Sequence, residues 1–195
     1  KYKSSLYYHL LTLINMLVTT TVTCLAHIKD ARHKQKLLGN IMDIDFSEIN
    51  YLKDPAWQDL HDDYEQFLLS MTGPTVIDVS GSDPTKCRVF TTLLHGNEPS
   101  GLIAIHRYLT EVLAQQKPTT NLRFIICSVE AAASKPLFSE RFIKGGMDIN
   151  RCFGKDCSFG CQDGQRGYCQ RASLIEQAIR EVNPEMVIDL HNASS

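Results

Sequence analysis

The sequence predicts an α/β fold, a mainly parallel sheet flanked by helices, and three observations lead there. Short, nearly unbroken apolar runs (Cys87–Leu94, Leu122–Val129, Met186–Leu190) have the length of strands buried on both faces. Between them lie stretches whose apolar residues recur every three or four positions, as on one side of a helix. Strand, helix, strand, loop, helix, strand is the order of right-handed crossover units in a parallel sheet. The composition agrees: 195 residues, 43% hydrophobic and 22% charged, suit one folded domain with its own core and exclude wholesale disorder. Twenty Lys plus Arg against 22 Asp plus Glu leave a net charge of −2, so no nucleic-acid partner is expected.

The chain divides near Met42. Residues 1–41 hold six basic residues and one acid, whereas residues 42–70 hold eight acids and one base. Such a reversal marks a segment boundary, giving a leader over 1–41 and a folded domain over 42–195. Residues 4–28 carry no charge. They read as an extension without a folded role, as a membrane anchor, or as a signal sequence started by Lys1 and Lys3. Seven His, Asn or Thr residues among the 21 from Leu6 to Ala26 dilute the apolar run, so the extension is favoured over membrane association. Seven cysteines, an odd number and too few for a disulfide scaffold, point to a reduced, cytoplasmic chain.

Within the domain, Trp57, Leu60, Tyr64, Phe67, Leu68 and Met71 share a helical face that Gly73-Pro74 ends. Thr75–Val79 is a β-branched strand closed by turn residues from Ser80 to Pro84, and Cys87–Leu94 is the first buried strand. A helix over Ser100–Leu113 buries Leu102, Ile105, Leu109, Val112 and Leu113, and Leu122–Val129 is the second buried strand. Ser134–Gly167 is irregular. Leu174, Ile175, Ala178, Ile179 and Val182 form a helix ended by Asn183-Pro184, and Met186–Leu190 is the third buried strand.

Ligands of open α/β sheets bind beyond the carboxyl ends of the strands. Two of these ends run into histidine: His95-Gly96-Asn97-Glu98-Pro99-Ser100-Gly101 after the first buried strand, and Asp189-Leu190-His191-Asn192 at the third. Two His and one Glu are the donor set of an open zinc site, with Asp189 suited to orient one imidazole from behind. His95-x-x-Glu98 taken alone also reads as a helix N-terminus with an acid near its positive end. The second strand-terminal histidine favours the metal. Asn150-Arg151 offers an amide and a fork-shaped cation for a carboxylate, though by itself it reads first as a surface arginine beside a structural turn. Cys152, Cys157, Cys161 and Cys169, with four, three and seven residues between them, lack the paired knuckles of a zinc site and read as reduced thiols, a second metal being the lesser alternative. Cys24, Cys87 and Cys127 read as small core residues, and His61 and His106 as satisfied or surface residues on helices.

Taken in order, His95-Gly96-Asn97-Glu98-Pro99-Ser100-Gly101, Asp148-Ile149-Asn150-Arg151-Cys152-Phe153 and Asp189-Leu190-His191-Asn192 resemble the succinylglutamate desuccinylase/aspartoacylase family, a branch of the zinc carboxypeptidase-like enzymes. The resemblance covers about Met42 to Ser195. It implies a hydrolase of the amide bond of small N-acyl amino acids, with one zinc per chain on His95, Glu98 and His191. Asn150 and Arg151 are then expected to hold the substrate carboxylate. Arg141 is the nearest counterpart of a further substrate arginine, at a spacing that departs from the family's. The family's general-base glutamate has no match here and is expected beyond Ser195, with a C-terminal part missing. A metallocarboxypeptidase, or a zinc-binding fragment without turnover, are the alternatives; the oligomeric state is left open.

Overall fold

The computed structural model describes residues 44–56, 60–143, 146–154 and 166–192. The leader, Trp57, Cys157 and Cys161 lie outside these residues, and with them the anchor, signal and four-thiolate readings. Among the described residues five strands make one mixed sheet: β1 (Asn50–Lys53), β2 (Thr75–Val79), β3 (Asp83–Thr92), β4 (Thr120–Ile126) and β5 (Met186–Leu190), in the order β1-β2-β4-β3-β5. The flanking helices are α1 (Tyr64–Ser70), α2 (Ser100–Arg107), the single-turn α3 (Val129–Ala132) and α4 (Arg166–Arg180). Among the described residues, no helix is long and apolar enough to cross a membrane.

Three of the four strand pairs are parallel, and β2–β4 is antiparallel. The exception follows from chain length: Ser80–Ser82 is too short for a crossover, so the chain must reverse between β2 and β3. It does so around the start of β4, where the Gly81 N–H donates to Asn121 Oδ1 (2.9 Å) and the Ser82 N–H to the Pro118 carbonyl (2.9 Å). β3, β4 and β5 therefore run the same way, and their carboxyl ends share one edge of the sheet.

Both faces of the central strands are covered. Val76, Val89 and Ile125 pack with Ala172, Ile175 and Ala178 of α4. On the other face Phe90 stacks on Phe124 (5.6 Å between centroids), which Tyr108 at the end of α2 meets at 5.9 Å. Fully burying a Val, Leu or Ile contributes roughly 1.5–3 kcal/mol, so this two-sided core explains why the strands read as continuous apolar runs.

Several boundaries differ from the expectations. The first helix begins only at Tyr64, where Asp63 accepts the Glu65 N–H (2.9 Å) as its N-cap. His61 precedes it with φ 57°, so it lies off the helix; its carbonyl faces Nε2 of buried His106 at 2.9 Å. β3 starts at Asp83, earlier than expected, through a register shift between Asp83 and Cys87. The helix after Ser100 keeps α geometry to Arg107 and widens into a π turn over Tyr108–Val112. β4 ends at Ile126, and Val129 opens α3 instead. The β1 strand was not anticipated. Met186–Leu190 is a strand as expected but not a buried one: among the described residues β5 lies at the rim of the sheet, with Met186 39% and Val187 48% exposed. An apolar run reports what a strand tolerates and leaves its neighbours unspecified.

Candidate metal centre

β3 delivers the first group of side chains. After Thr92 the chain turns at Leu93, whose φ of 53° is rare for a branched residue and is held by the Ser128 N–H on its carbonyl (2.8 Å). The turn aims His95 back over the sheet end. Gly96 is required next, because a Cβ there would lie 2.6 Å from the Ala131 backbone carbon. Glu98 follows, just before α2. Gly101, in the first turn of α2, lets that helix sit on the ends of β3 and β5: a Cβ there would meet Thr92 Oγ1 at 2.2 Å and Leu190 Cβ at 2.8 Å. β5 then supplies His191 from the neighbouring strand.

These residues meet. One donor atom from each of His95, Glu98 and His191 lies within 4.8 Å of the other two. His95 Nδ1 is 3.0 Å from Glu98 Oε1, His191 Nδ1 is 3.4 Å from Glu98 Oε2, and the two imidazole centroids are 4.6 Å apart. His95 and Glu98 are buried, whereas the His191 side chain is 31% exposed and marks the open side. Two donors on a tetrahedral ion stand about 3.4 Å apart, so small side-chain adjustments fit the group to a cation. The donor chemistry agrees with the geometry. With the His95 Nε2 proton given to a partner, the Nδ1 lone pair and a carboxylate oxygen face each other and require a cation or a proton between them.

That partner is a residue sequence reasoning missed. Asp148 Oδ1 lies 3.0 Å from His95 Nε2 and also accepts the Asn150 N–H at 3.0 Å, capping the single 3₁₀ turn Ile149–Arg151. Its Oδ2 is 3.8 Å from Arg151 Nε. One carboxylate thus ties the buried imidazole to the turn that carries Asn150 and Arg151. Those two residues do not touch the cluster directly; both are exposed, Arg151 by 76% of its side chain. Asp148 opens the motif Asp148-Ile149-Asn150-Arg151, but nothing in the sequence tied it to His95. Asp189, the anticipated orienting group, accepts from Thr91 Oγ1 (2.8 Å) and lies 3.4 Å from His191 Nδ1. The Asn192 N–H donates to Glu98 Oε2 (3.3 Å), and Ser100 Oγ in turn holds the Asn192 side chain.

Arg141 sits closer to the cluster than its sequence position suggested. Its Nη1 donates to Glu98 Oε1 (3.0 Å), its Nη2 lies 3.2 Å from His95 Nε2, and its guanidinium covers the Phe142 ring at 5.5 Å. The Gly96 N–H donates to the Arg141 carbonyl (2.9 Å), fastening this loop to the His95 turn. Behind the cluster, Arg171 is 1% exposed and pairs with both oxygens of Glu130 (2.9 and 3.2 Å). Cys152 and Cys169 are buried among Met147, Ile149 and Tyr168 in the core under α4.

Searches of curated proteins and of solved structures return no match. Residues 89–195, more than half the chain, match the family model of the succinylglutamate desuccinylase/aspartoacylase catalytic domain, and that span runs from within β3 through all three residues of the cluster. The family is hydrolytic. The chain belongs to the succinylglutamate desuccinylase/aspartoacylase family.

Proposed function

We propose that the chain is a zinc-dependent hydrolase domain of zinc carboxypeptidase-like architecture that acts on the amide bond of small N-acyl amino acids. The convergence of His95, Glu98 and His191 at the carboxyl ends of β3 and β5 carries this reading. Bound zinc supplies Lewis-acid polarisation of the acyl carbonyl and acidifies water. The chain's own residues do the rest. Asp148 fixes the His95 tautomer by accepting from Nε2, which leaves Nδ1 turned toward Glu98. Asn150 and Arg151, exposed on the turn that Asp148 caps, offer an amide and a guanidinium fork to the substrate carboxylate. Arg141 adds a second cation on the same side. Glu98 is committed to the cluster and Glu130 to Arg171, so neither is assigned as the proton-accepting group.

Zinc content and amine release test the reading together. One equivalent of zinc is expected in the wild-type chain and none in the His95→Ala/His191→Ala variant; stoichiometric zinc in that variant refutes the ligand set. Amine release from N-acetylaspartate or N-succinylglutamate supports the acylase, and preference for a peptide with a free C-terminus moves the assignment to a metallocarboxypeptidase. Zinc binding with release from neither moves the assignment to a zinc-binding fragment without turnover. Where turnover is found, Arg151→Lys is expected to raise KM by about 10- to 100-fold, since a single ammonium does not reproduce a charge-assisted fork worth roughly 1.5–3 kcal/mol.

A further inference from the structure

We propose that Arg141 is a built-in competitor for the cation, holding the affinity of the His95–Glu98–His191 site below what its ligands alone would give. The inference rests on the metal reading above and adds to it a residue that opposes metal binding. Arg141 Nη1 donates to Glu98 Oε1, the same oxygen that faces His95 Nδ1 across 3.0 Å. A metal placed between those two donors must share that oxygen with a guanidinium or displace it. The second prong is in conflict as well. His95 Nε2 cannot donate to Asp148 at 3.0 Å and accept from Arg141 Nη2 at 3.2 Å at the same time. When Nδ1 ligates, Nε2 keeps its proton for Asp148, and two donors are left facing each other. A fixed positive charge then stands in direct contact with two of the three ligands.

The loop does not carry this charge away. The Arg141 carbonyl accepts the Gly96 N–H at 2.9 Å, which pins the residue to the turn between His95 and Glu98. Relief has to come from the side chain, which is 40% exposed and lies over the Phe142 ring at 5.5 Å. In the absence of metal the same contact is stabilising, because Glu98 is only 6% exposed and Arg141 Nη1 is the cation on its carboxylate. One side chain thus stabilises the ligand cluster without metal and destabilises it with metal, so its removal moves two measurements in opposite directions.

The test titrates zinc into the chelator-stripped 195-residue chain against a competing chelator, for wild type, Arg141→Gln, Arg141→Lys and Glu98→Gln. Arg141→Gln is expected to bind zinc at least tenfold more tightly than wild type, and to melt at a lower temperature before zinc is added. Arg141→Lys, which keeps the charge but loses the two-pronged contact, is expected to fall between the two; it carries the test if Arg141→Gln does not fold. Zinc affinity in Arg141→Gln equal to or weaker than wild type, with Glu98→Gln abolishing binding, overturns the competition and leaves the metal site standing. Wild type that binds no zinc overturns the metal reading and this inference with it.

Discussion

Replacing Gly96 with alanine tests whether the cluster depends on the close approach of the His95 turn to α3. The added methyl would sit 2.6 Å from both the Ala131 backbone carbon and Ala131 Cβ, and 2.6 Å from the Ala132 nitrogen. Two of the three atoms are backbone in a short helix whose Ala131 and Ala132 are fully buried, so rotamer changes give little relief. Restoring ordinary contact at 3.4 Å requires the turn to move outward by about 0.8 Å. Overpacking of this kind costs about 1–3 kcal/mol, against roughly 0.4–1 kcal/mol gained from a stiffer unfolded chain where the native backbone tolerates alanine. The expected net loss is about 1–2 kcal/mol, or a melting temperature lower by roughly 2–8 °C for a chain of this length. The displacement also separates His95 and Glu98 from His191, which stays on β5. Zinc affinity should fall about tenfold or more, as when groups around metal ligands are disturbed. Urea denaturation and zinc titration of Gly96→Ala, beside the exposed-site control Asn97→Ala, read both effects. A Gly96→Ala chain as stable as the control and with its zinc affinity would show that the turn does not rest on α3, and the reasoning would fail.

Arg171→Met should cost about 3–5 kcal/mol in urea denaturation by leaving the nearly buried Glu130 without its cation, and adding Glu130→Leu should restore most of it; a double variant no better than the single would refute the pairing argument. Asp148→Asn should weaken zinc binding about 10- to 100-fold while melting changes little, since an amide still caps the Asn150 turn but no longer carries the charge on His95. Burial pushes the Cys127 thiol up to about 12, so maleimide at pH 8 should leave it unlabelled in the folded chain and label it in urea, as peptide mass mapping would reveal. The Ser80 N–H and hydroxyl on Asp54 (2.7 and 2.8 Å) hold its carboxyl below the usual range, so its contribution is complete above about pH 4 and is lost as pH falls through the lowered value. The stability gap between wild type and Asp54→Asn should therefore narrow in acid, and a gap constant from pH 7 to pH 2 would contradict this.

The cluster was legible because its logic is local. A buried strand that ends in histidine places that histidine at the edge where open sheets bind ligands, and the sequence alone shows two such ends at His95 and His191. What escaped was everything that depends on which distant segments meet. Asp148 reaches His95 across 53 residues of chain and Arg141 reaches Glu98 across 43, through a stretch with no periodicity to fix its path. The same limit explains β5. Its apolar residues match those of β3 and β4, yet position in the sheet is set by the crossover order, and that order places Met186 and Val187 at a rim. The antiparallel β2–β4 pair follows from the three-residue connection between β2 and β3, which the sequence hid because β3 begins at Asp83 and not at the expected Cys87.

Of the three cluster residues, two sit on the best-packed part of the molecule and one follows its edge strand. Local opening costs least where a segment has the fewest buried contacts, and among the described residues β5 lies at the rim of the sheet with Met186 and Val187 exposed. A cation held by Glu98 and His191 would bind only the closed form, so its occupancy would add RT ln(1 + [L]/Kd) to the cost of that opening. The ion would then clasp the rim of the sheet from its end, doing for β5 what a neighbouring strand does along its length. Amide hydrogens from Val187 to Leu190 would exchange slowly or quickly according to whether a metal is bound some ångströms beyond the last of them. The order of the strand and the filling of the site would become one equilibrium.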